Sequence, residues 1–478
     1  MIDPPPPSDK PVDILTLGCR LNSYESEVMR DHARAGGLDN AVIVNTCAVT
    51  GEAVRQARQT IRRARRERPD AAIIVTGCAA QIDPSSFSKM PEVTRVIGNT
   101  EKLKGETFRR ESLLDDAADR TQVADILTSL APPPRHAVDG LEGRARAFVQ
   151  VQTGCNHRCT FCVIPFGRGN SRSTDAETIV EQVQRLHDRG HFEIVLTGVD
   201  LTSWGGDLDG TPSLGQLVET ILTRVPDLSQ LRLSSLDAIE IDDRLFELLT
   251  TEGRIAPHLH LSFQSGDDMI LKRMKRRHSR QDAIDLCGRI RTARPETAFG
   301  ADLIAGFPTE TAEMFENTLA SIDACGIDYL HVFPFSPRPG TPAARMPQVD
   351  TGLIRERAAR LREKGRERLA LRLEQHVGTS AIALVEGGGR ARLPNFAPIR
   401  LEGAAPKAGE TAHVFLASRT DNELVGRIAG YCGGAGKKLS AGPRMMAARR
   451  EMSRPASCPE TPQERYLNLT WRKTALRT

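Results

Sequence analysis

The sequence predicts an α/β chain of three modules: an N-terminal parallel α/β sheet domain, a partial (β/α)6 TIM-like barrel and a small OB-like β-barrel. Three observations carry this. Short apolar runs alternate with helical patterns over residues 12–99, the rhythm of a parallel sheet with crossover helices. From residue 145 the same rhythm returns on a longer beat, with six strand candidates. After residue 380 it gives way to short alternating segments separated by Gly, Pro and Asn, as in a small β-barrel.

In the first module the strand candidates are 12–17, 41–45, 71–76 and 93–97, with helical stretches near 23–35 and 51–68. Residues 115–143 are acidic and then proline-rich (APPPR), which reads as a linker between modules at 12–114 and 144–375. Barrel strands are expected at 147–152, 193–198, 231–235, 258–264, 299–305 and 329–335. Helical patterns follow the first five, among them 175–189 and 311–325. A highly charged helix, 353–374, leads into the third module at 376–432, which contains AIALVE, IRLEG and AHVFLA. Residues 1–11 read as a disordered N-terminus, and 433–478 as a basic tail without periodicity or assignment.

Hydrophobic residues make up 39% of the 478 and charged residues 26%, a globular composition. The opening MIDPPPPSDK has no apolar core of a signal peptide, and no run of about 18 apolar residues exists. No membrane span is therefore expected, and a cytoplasmic location is. There thiols stay reduced, so ten cysteines point to metal or redox work rather than disulfides. The net charge of +4 is unevenly spread. Residues 433–478 hold ten Lys and Arg against three Glu, a net +7, which leaves −3 for the rest. Any nucleic-acid surface must then be a local patch.

The stretch VQTGCNHRCTFCVIP (151–165) holds Cys155, Cys159 and Cys162 in C-x3-C-x2-C spacing. It lies just after the first barrel strand, at the end where such barrels place chemistry. A structural zinc site closes with four ligands. His157 lies between two of the cysteines, where its ring would reach the same metal with difficulty. A 4Fe-4S cluster held by three thiolates leaves one iron open, and Phe161 before the last cysteine fits that pattern. Zinc or another structural metal is the competing reading. Three more cysteines lie in the first module: Cys19 in TLGCRLNSYESE, Cys47 in VIVNTCAVT and Cys78 in IIVTGCAAQ. Each directly follows an expected strand, at intervals of 28 and 31 residues. A parallel sheet would bring all three to one edge, where open α/β sheets build their sites. A small buried hydrophobe is the plain reading of any one of them; three at equivalent positions point to a shared site.

Together these sets resemble the methylthiotransferases, radical SAM enzymes with two 4Fe-4S clusters, and the resemblance spans residues 12–428. It implies an N-terminal methylthiotransferase domain, a radical SAM barrel and a C-terminal TRAM domain, an RNA-binding fold. It implies that Cys19, Cys47 and Cys78 hold an auxiliary cluster. Cys155, Cys159 and Cys162 would hold the cluster whose open iron chelates S-adenosylmethionine (SAM). One SAM would methylate a sulfur on the auxiliary cluster, and a second would yield the radical that drives transfer. An unidentified electron donor and an unidentified sulfur donor are then needed as partners, with tRNA as substrate. TLGCRLNSYESE resembles the MtaB-like branch, in which Gly-Cys is followed by Lys or Arg, then x-Asn and x-Tyr-Glu-Ser. HLHLSFQSGDDMILKRMKRRH and HVFPFSPRPGTPAA fit the same branch. Its implied reaction is methylthiolation of N6-threonylcarbamoyladenosine, position 37 of tRNA, at C2. That carbon bears only hydrogen, so acid–base chemistry near neutral pH does not activate it. The alternatives are a MiaB-like enzyme acting on isopentenyladenosine in tRNA and a RimO-like enzyme acting on a ribosomal-protein aspartate. A non-enzymatic RNA-binding iron–sulfur protein is a further class.

Candidate SAM-contacting residues are Phe161 in the cysteine stretch, and Gly198 and Asp200 (in LTGVDLTSWGGD), Ser234, Gln264 and Asp302, at or near barrel strand ends or within strands. An ordinary βα turn is the alternative for the glycine. Ser235 and Ser265 are further lining candidates. Two basic groups could meet RNA. One is the helix bearing Arg55, Arg58, Arg62, Arg63, Arg65, Arg66 and Arg68. The other is Lys272, Arg273, Lys275, Arg276 and Arg277, on the expected active-site face and favoured for phosphate contact. Phe396 could stack on a base or close the small C-terminal core. Cys287 and Cys325 read as core, while Cys432 and Cys458 have no visible role.

Overall fold

The computed structural model describes residues 11–113, 119–129, 133, 140 and 144–432. The expected N-terminal extension through residue 10, and the basic tail with Cys458, lie outside the described residues.

The β-branched runs AVIVNT and AIIVTG form the buried centre of a five-stranded sheet. Its strands are β1 (Asp13–Thr16), β2 (Ala41–Thr46), β3 (Ala72–Gly77), β4 (Arg95–Ile97) and β5 (Thr121–Gln122), all parallel and in sequence order. The first helix, α1 (Arg20–Ala35), buries Met29 and Ala33 with Ile43, Ile74 and Ile97 on one face. The second, α2 (Gly51–Glu67), buries Ala57 and Ile61 with Val42, Val44 and Val75 on the other. A short helix, α3 (Cys78–Ile82), follows β3 without a loop. Strand β5 falls inside the stretch expected to be linker. Its pairing with β4, together with buried Ile126, makes part of that stretch an element of the first sheet.

The barrel strands are β6 (Arg146–Gln150) with a short β7 (Gln152–Thr153) that pairs with β8 (Arg172–Ser173), then β9 (Glu193–Thr197), β10 (Gln230–Leu233), β11 (Ser235–Leu236), β12 (His258–Gln264), β13 (Ala298–Ala305) and β14 (Tyr329–Pro334). The third expected strand breaks at Ser234. β10 pairs with β9, whereas β11 pairs with β12, so one six-position sheet is split into three and four strands. Pairing is parallel throughout these two sheets, as crossover helices require. These helices are α4 (Ile164–Arg168), α5 (Ala176–Asp188), α6 (Leu214–Arg224), α7 (Asp243–Thr251), α8 (Asp268–Met274), α9 (Arg280–Ala293) and α10 (Ala312–Cys325). Alternation decides what faces what. Val149, Leu196, Leu231, Leu261 and Ala301 pack outward in the main core. The intervening Arg146, Phe148, Glu193, Val195, Arg232, His258, His260 and Asp302 face the lumen.

A 24-residue helix, α11 (Thr351–Glu374), leads to β15 (Ser380–Gly387), β16 (Arg390–Arg392), β17 (Pro398–Glu402), β18 (Thr411–Arg419) and β19 (Leu424–Cys432). These close into a barrel in the order β15-β16-β17-β19-β18, with Leu373 of α11 in its core. The expected small OB-like barrel is therefore observed.

Candidate active site

The three strand-end cysteines of the first module leave adjacent parallel strands at one edge. Gly18 (φ +98°) and Gly77 (φ +93°) precede Cys19 and Cys78 in a conformation suited to glycine. A Cβ at Gly18 would stand 2.7 Å from Cys47 Cβ, so this turn lays Cys19 alongside Cys47. Burial, then the nearby Cys78 and Cys19 thiols, push the Cys47 thiol up to about 11, against one backbone N–H bond. A coordinated metal deprotonates such a thiol outright.

In the barrel, the His157 backbone N–H donates to Cys155 Sγ at 3.4 Å, and the Ile164 N–H to Cys162 Sγ at 3.4 Å. An Arg276 guanidinium nitrogen lies 3.9 Å from Cys159 Sγ. Burial first, then the Asp200 carboxylate 3.5 Å away, raise the Cys155 thiol above its usual range. Burial holds Cys162 at about 11. All six thiols are free. Three thiols per set, N–H donors aimed at sulfur and glycine where a Cβ would intrude form a donor set that fits a 4Fe-4S cluster. The atoms of Cys155, His157 and Asp200 lie within 4.8 Å of one another. That grouping leaves Cys159 and Cys162 aside and does not favour zinc. The His157 ring faces Asp200 at 3.1 Å and Glu240 at 3.3 Å, and these two bonds raise it to about 10.

The two sets meet across the module boundary. Cys78 opens α3, which packs on α4, and α4 follows Cys162. A Cβ at Gly167 would lie 3.1 Å from Cys78 Cβ. Asn99 donates to the Gly167 carbonyl at 2.5 Å and lies 3.7 Å from Cys78 Sγ. Beside Cys47, the Gly51 N–H donates to Ser336 Oγ at 3.1 Å, in the loop after β14.

The segment RLNSYESE supplies a buried joint at this boundary. Arg168 donates to Glu25 at 2.7 and 3.0 Å and to Asn22 Oδ1 at 2.6 Å; Lys102 donates to Glu25 at 2.6 Å. Asn22 Nδ2 in turn donates to the carbonyls of Leu17 and Thr46. On the next face of α1, Tyr24 and Val28 cover the lumen side of Phe148 and Val195. A helix of the first module thus fills part of the open barrel. Arg20, one turn earlier on that face, lies within electrostatic range of Arg232, Arg146, Glu193 and Arg392. None of Arg20, Glu25, Lys102 or Arg168 was singled out as a site residue by sequence reasoning. The branch motif TLGCRLNSYESE contains Arg20 and Glu25, but nothing in the sequence marks Lys102 or Arg168.

The expected SAM residues divide. Asp200 joins Cys155 and is steadied by the Ser203 hydroxyl at 2.7 Å. Gln152 Oε1 accepts the N–H groups of Val199 and Asp200, and a Cβ at Gly198 would stand 3.0 Å from the same oxygen. Ser234, at the strand break, is buried with an unpartnered hydroxyl. Gln264 ends β12 in a left-handed conformation (φ +69°). Asp302 lies deeper in the lumen, 2.9 Å from His260 and 3.2 Å from His331. Phe161 turns away into a small core, edge-on to Phe307 at 6.3 Å.

The favoured basic group also divides. Arg276 is paired with Asp237 at 3.0 Å, and Arg277 is bound to Glu240 and lies 3.2 Å from His157. Arg273 lies 3.3 Å from the Thr309 carbonyl. Lys272 and Lys275 remain exposed, with no ion pair among the described residues. The carboxylates of Asp237 and Glu240 thus draw two of the five arginine and lysine charges toward the cysteine site. In α2, Arg55, Arg62 and Arg63 pair with Glu52, Glu92 and Glu67, and Arg68 just after the helix pairs with Asp13. Phe396 is half-buried and packs on strands of the larger barrel. Its ring lies 4.8 Å from His258 and is ringed by Arg392, Arg232 and Arg146 at the N-terminal floor of the barrel. Cys287 and Cys325 are buried against each other, as expected of core residues.

Residues 149–322 match the model of the Radical SAM superfamily, and residues 11–98 match "Uncharacterized protein family UPF0004". The chain is 49% identical to the threonylcarbamoyladenosine tRNA methylthiotransferase MtaB of Rickettsia prowazekii (strain Madrid E), covering 88% of this chain and 96% of that one. It is 36% identical to the MtaB of Aquifex aeolicus (strain VF5), over 81% and 96%. With the tRNA-2-methylthio-N(6)-dimethylallyladenosine synthase of Staphylococcus epidermidis (strain ATCC 35984) it shares 30%, over 79% and 75%.

Proposed function

The chain belongs to the radical SAM methylthiotransferases, and from that premise we propose that it is the enzyme that methylthiolates C2 of N6-threonylcarbamoyladenosine at position 37 of tRNA. One observation carries the branch: identity is 49% to a threonylcarbamoyladenosine enzyme, against 30% to a dimethylallyladenosine enzyme. It is an enzyme of two 4Fe-4S clusters and SAM. In our reading Cys19, Cys47 and Cys78 hold one cluster, and Cys155, Cys159 and Cys162 hold the other. When bound, these groups supply reductive cleavage of SAM and delivery of a sulfur to an unactivated carbon.

The chain's own residues do the positioning. Asp200, His157 and Glu240 form a fixed polar wall beside Cys155, with the imidazole held protonated by its two carboxylates. Gln152 pins the backbone of the loop that carries Asp200. Helix α1 on one side and Phe396 at the floor narrow the lumen, limiting water around a reactive intermediate. We assign SAM contact to Gly198, Asp200, Ser234, Gln264 and Asp302, with Phe161 supporting the cysteine loop from behind. Lys272 and Lys275 are the residues of their group left for tRNA phosphates, and the closed C-terminal barrel is taken as a TRAM module. No helix among the described residues is long and apolar enough to cross a membrane. We place the enzyme in the cytoplasm with its tRNA, served by an electron donor and a sulfur donor outside this chain.

The test is nucleoside analysis of tRNA from a strain lacking the protein. Loss of 2-methylthio-threonylcarbamoyladenosine with isopentenyl-derived nucleosides intact is the expected result. Unchanged levels would refute the assignment.

A further inference from the structure

We infer that Arg20 recognises the free carboxylate of the substrate's threonyl group and thereby sets specificity for the anionic nucleoside. The inference rests on the substrate reading above and adds to it the residue that reads the substituent.

Arg20 follows Cys19 directly and opens α1. With Tyr24 and Val28, at spacings of four, it lies on the face of α1 that covers the lumen. Its guanidinium makes no hydrogen bond or ion pair among the described residues. A cation in the first turn opposes the helix dipole, and α1 has no acidic residue there to compensate.

The surroundings are those of an anion site. Arg20 shares the lower lumen with Arg146, Arg232 and Arg392, and the carboxylates there are Glu193 and Glu386. Four guanidinium groups thus face two carboxylates. Glu193 is already divided between Arg232 at 2.6 Å and Arg146 at 2.5 Å, and Arg392 is taken by Glu386 at 2.9 Å. Arg146 Nη2 and Arg232 Nη1 are nevertheless buried without a partner. Asp302, higher in the lumen, is occupied by His260 and His331. Burial, followed by the repulsion of Arg232, holds His258 neutral, so it adds no charge.

A planar guanidinium matches a carboxylate bidentately. The threonylcarbamoyl group carries one carboxylate; a dimethylallyl group carries none. An apolar substituent would leave the donors of half-buried Arg20 covered and unpaired, the situation in which polar sites discriminate most strongly. Because Arg20 adjoins Cys19, the free charge stands beside the cysteine set proposed to deliver sulfur. A base presented there would direct its N6 substituent into the lumen.

The test compares anticodon stem–loop RNA carrying threonylcarbamoyladenosine with the same RNA carrying its threonyl methyl ester. The full-length reconstituted enzyme is used anaerobically with excess SAM, dithionite and sulfide, and product is read by mass spectrometry. With the wild-type enzyme, esterification should raise KM by about 10- to 100-fold with little change in kcat. Arg20→Gln should raise KM for the acid by a similar factor and be indifferent to esterification. Arg20→Lys should restore most of the preference. Equal wild-type KM values for acid and ester would overturn the inference, as would an Arg20→Gln enzyme that still prefers the acid. Iron content checks that the variant keeps its clusters; if it does not, the wild-type acid–ester comparison alone decides. Failure of the wild-type enzyme on both RNAs would instead overturn the substrate assignment, and this inference with it.

Discussion

Replacing Glu25 by Gln removes one negative charge and leaves Arg168 and Lys102 facing each other with no counter-ion. The three side chains are 2%, 4% and 0% exposed, so water cannot replace the lost carboxylate. Breaking a buried pair in this way costs about 3–5 kcal/mol. The titration of Glu25 gives a similar figure. Burial pushes its carboxyl up, but Arg168 and Lys102 outweigh burial and hold it at about 2, below its ordinary 4.5. At about 1.4 kcal/mol per unit this is about 3 kcal/mol. Burial lowers Lys102 despite Glu25, so Arg168 is the firmer partner. Because the folded value is depressed, this stabilisation is complete above pH 4.5 and is lost as pH falls through about 2. Hydrogen exchange of the α1 and α4 amides reads the joint directly. Glu25→Gln should accelerate their exchange about a hundredfold at neutral pH, and the Glu25→Gln/Arg168→Met double variant should recover part of the loss. Exchange within two- to threefold of wild type would refute the claim that this triad locks the modules.

Anaerobic reconstitution should give about eight iron per chain, and replacing Cys19, Cys47 and Cys78 with Ala should halve it, by iron assay. A value near four that ignores this replacement would eliminate the two-cluster reading. Phe396→Ala should lower the stability of the C-terminal barrel's junction by about 2 kcal/mol, seen as faster proteolysis after α11, with β15–β19 still folded. Replacing Lys272 and Lys275 with Ala should weaken tRNA binding and reduce its salt slope by about 2, measured by titration at several salt concentrations. Arg276→Ala, whose charge is committed to Asp237, should leave that slope unchanged while altering the spectrum of the cluster bound beside Cys159.

The local parts of this architecture were legible in the sequence. Short apolar runs between helical patterns located the strands of the first two modules, short alternating segments those of the third, and a cysteine at the end of three successive strands foretold one shared edge. What escaped was non-local. Glu25 and Arg168 are 143 positions apart, and nothing in either neighbourhood names the other. Phe396 reads as a loop aromatic because its partners His258, Arg146 and Arg232 come from another module. Five clustered cations read as one patch until the opposing Asp237 and Glu240, from the turn after β11, divide them. Residues 121–122 carry too short an apolar pattern to announce a strand, and only an existing β4 edge makes them one.

The joint between α1 and α4 also sets an order in time. The ribosome releases Glu25 long before Arg168, and at about 5–20 residues per second the interval is roughly seven to thirty seconds. During it, the first module has its sheet but not the wall that covers Tyr24, Glu25 and Val28. Its strand-end thiols stand open to solvent on the same side. The closing of one buried salt bridge, rather than completion of the first sheet, is thus the event that first sets the two groups of cysteines face to face.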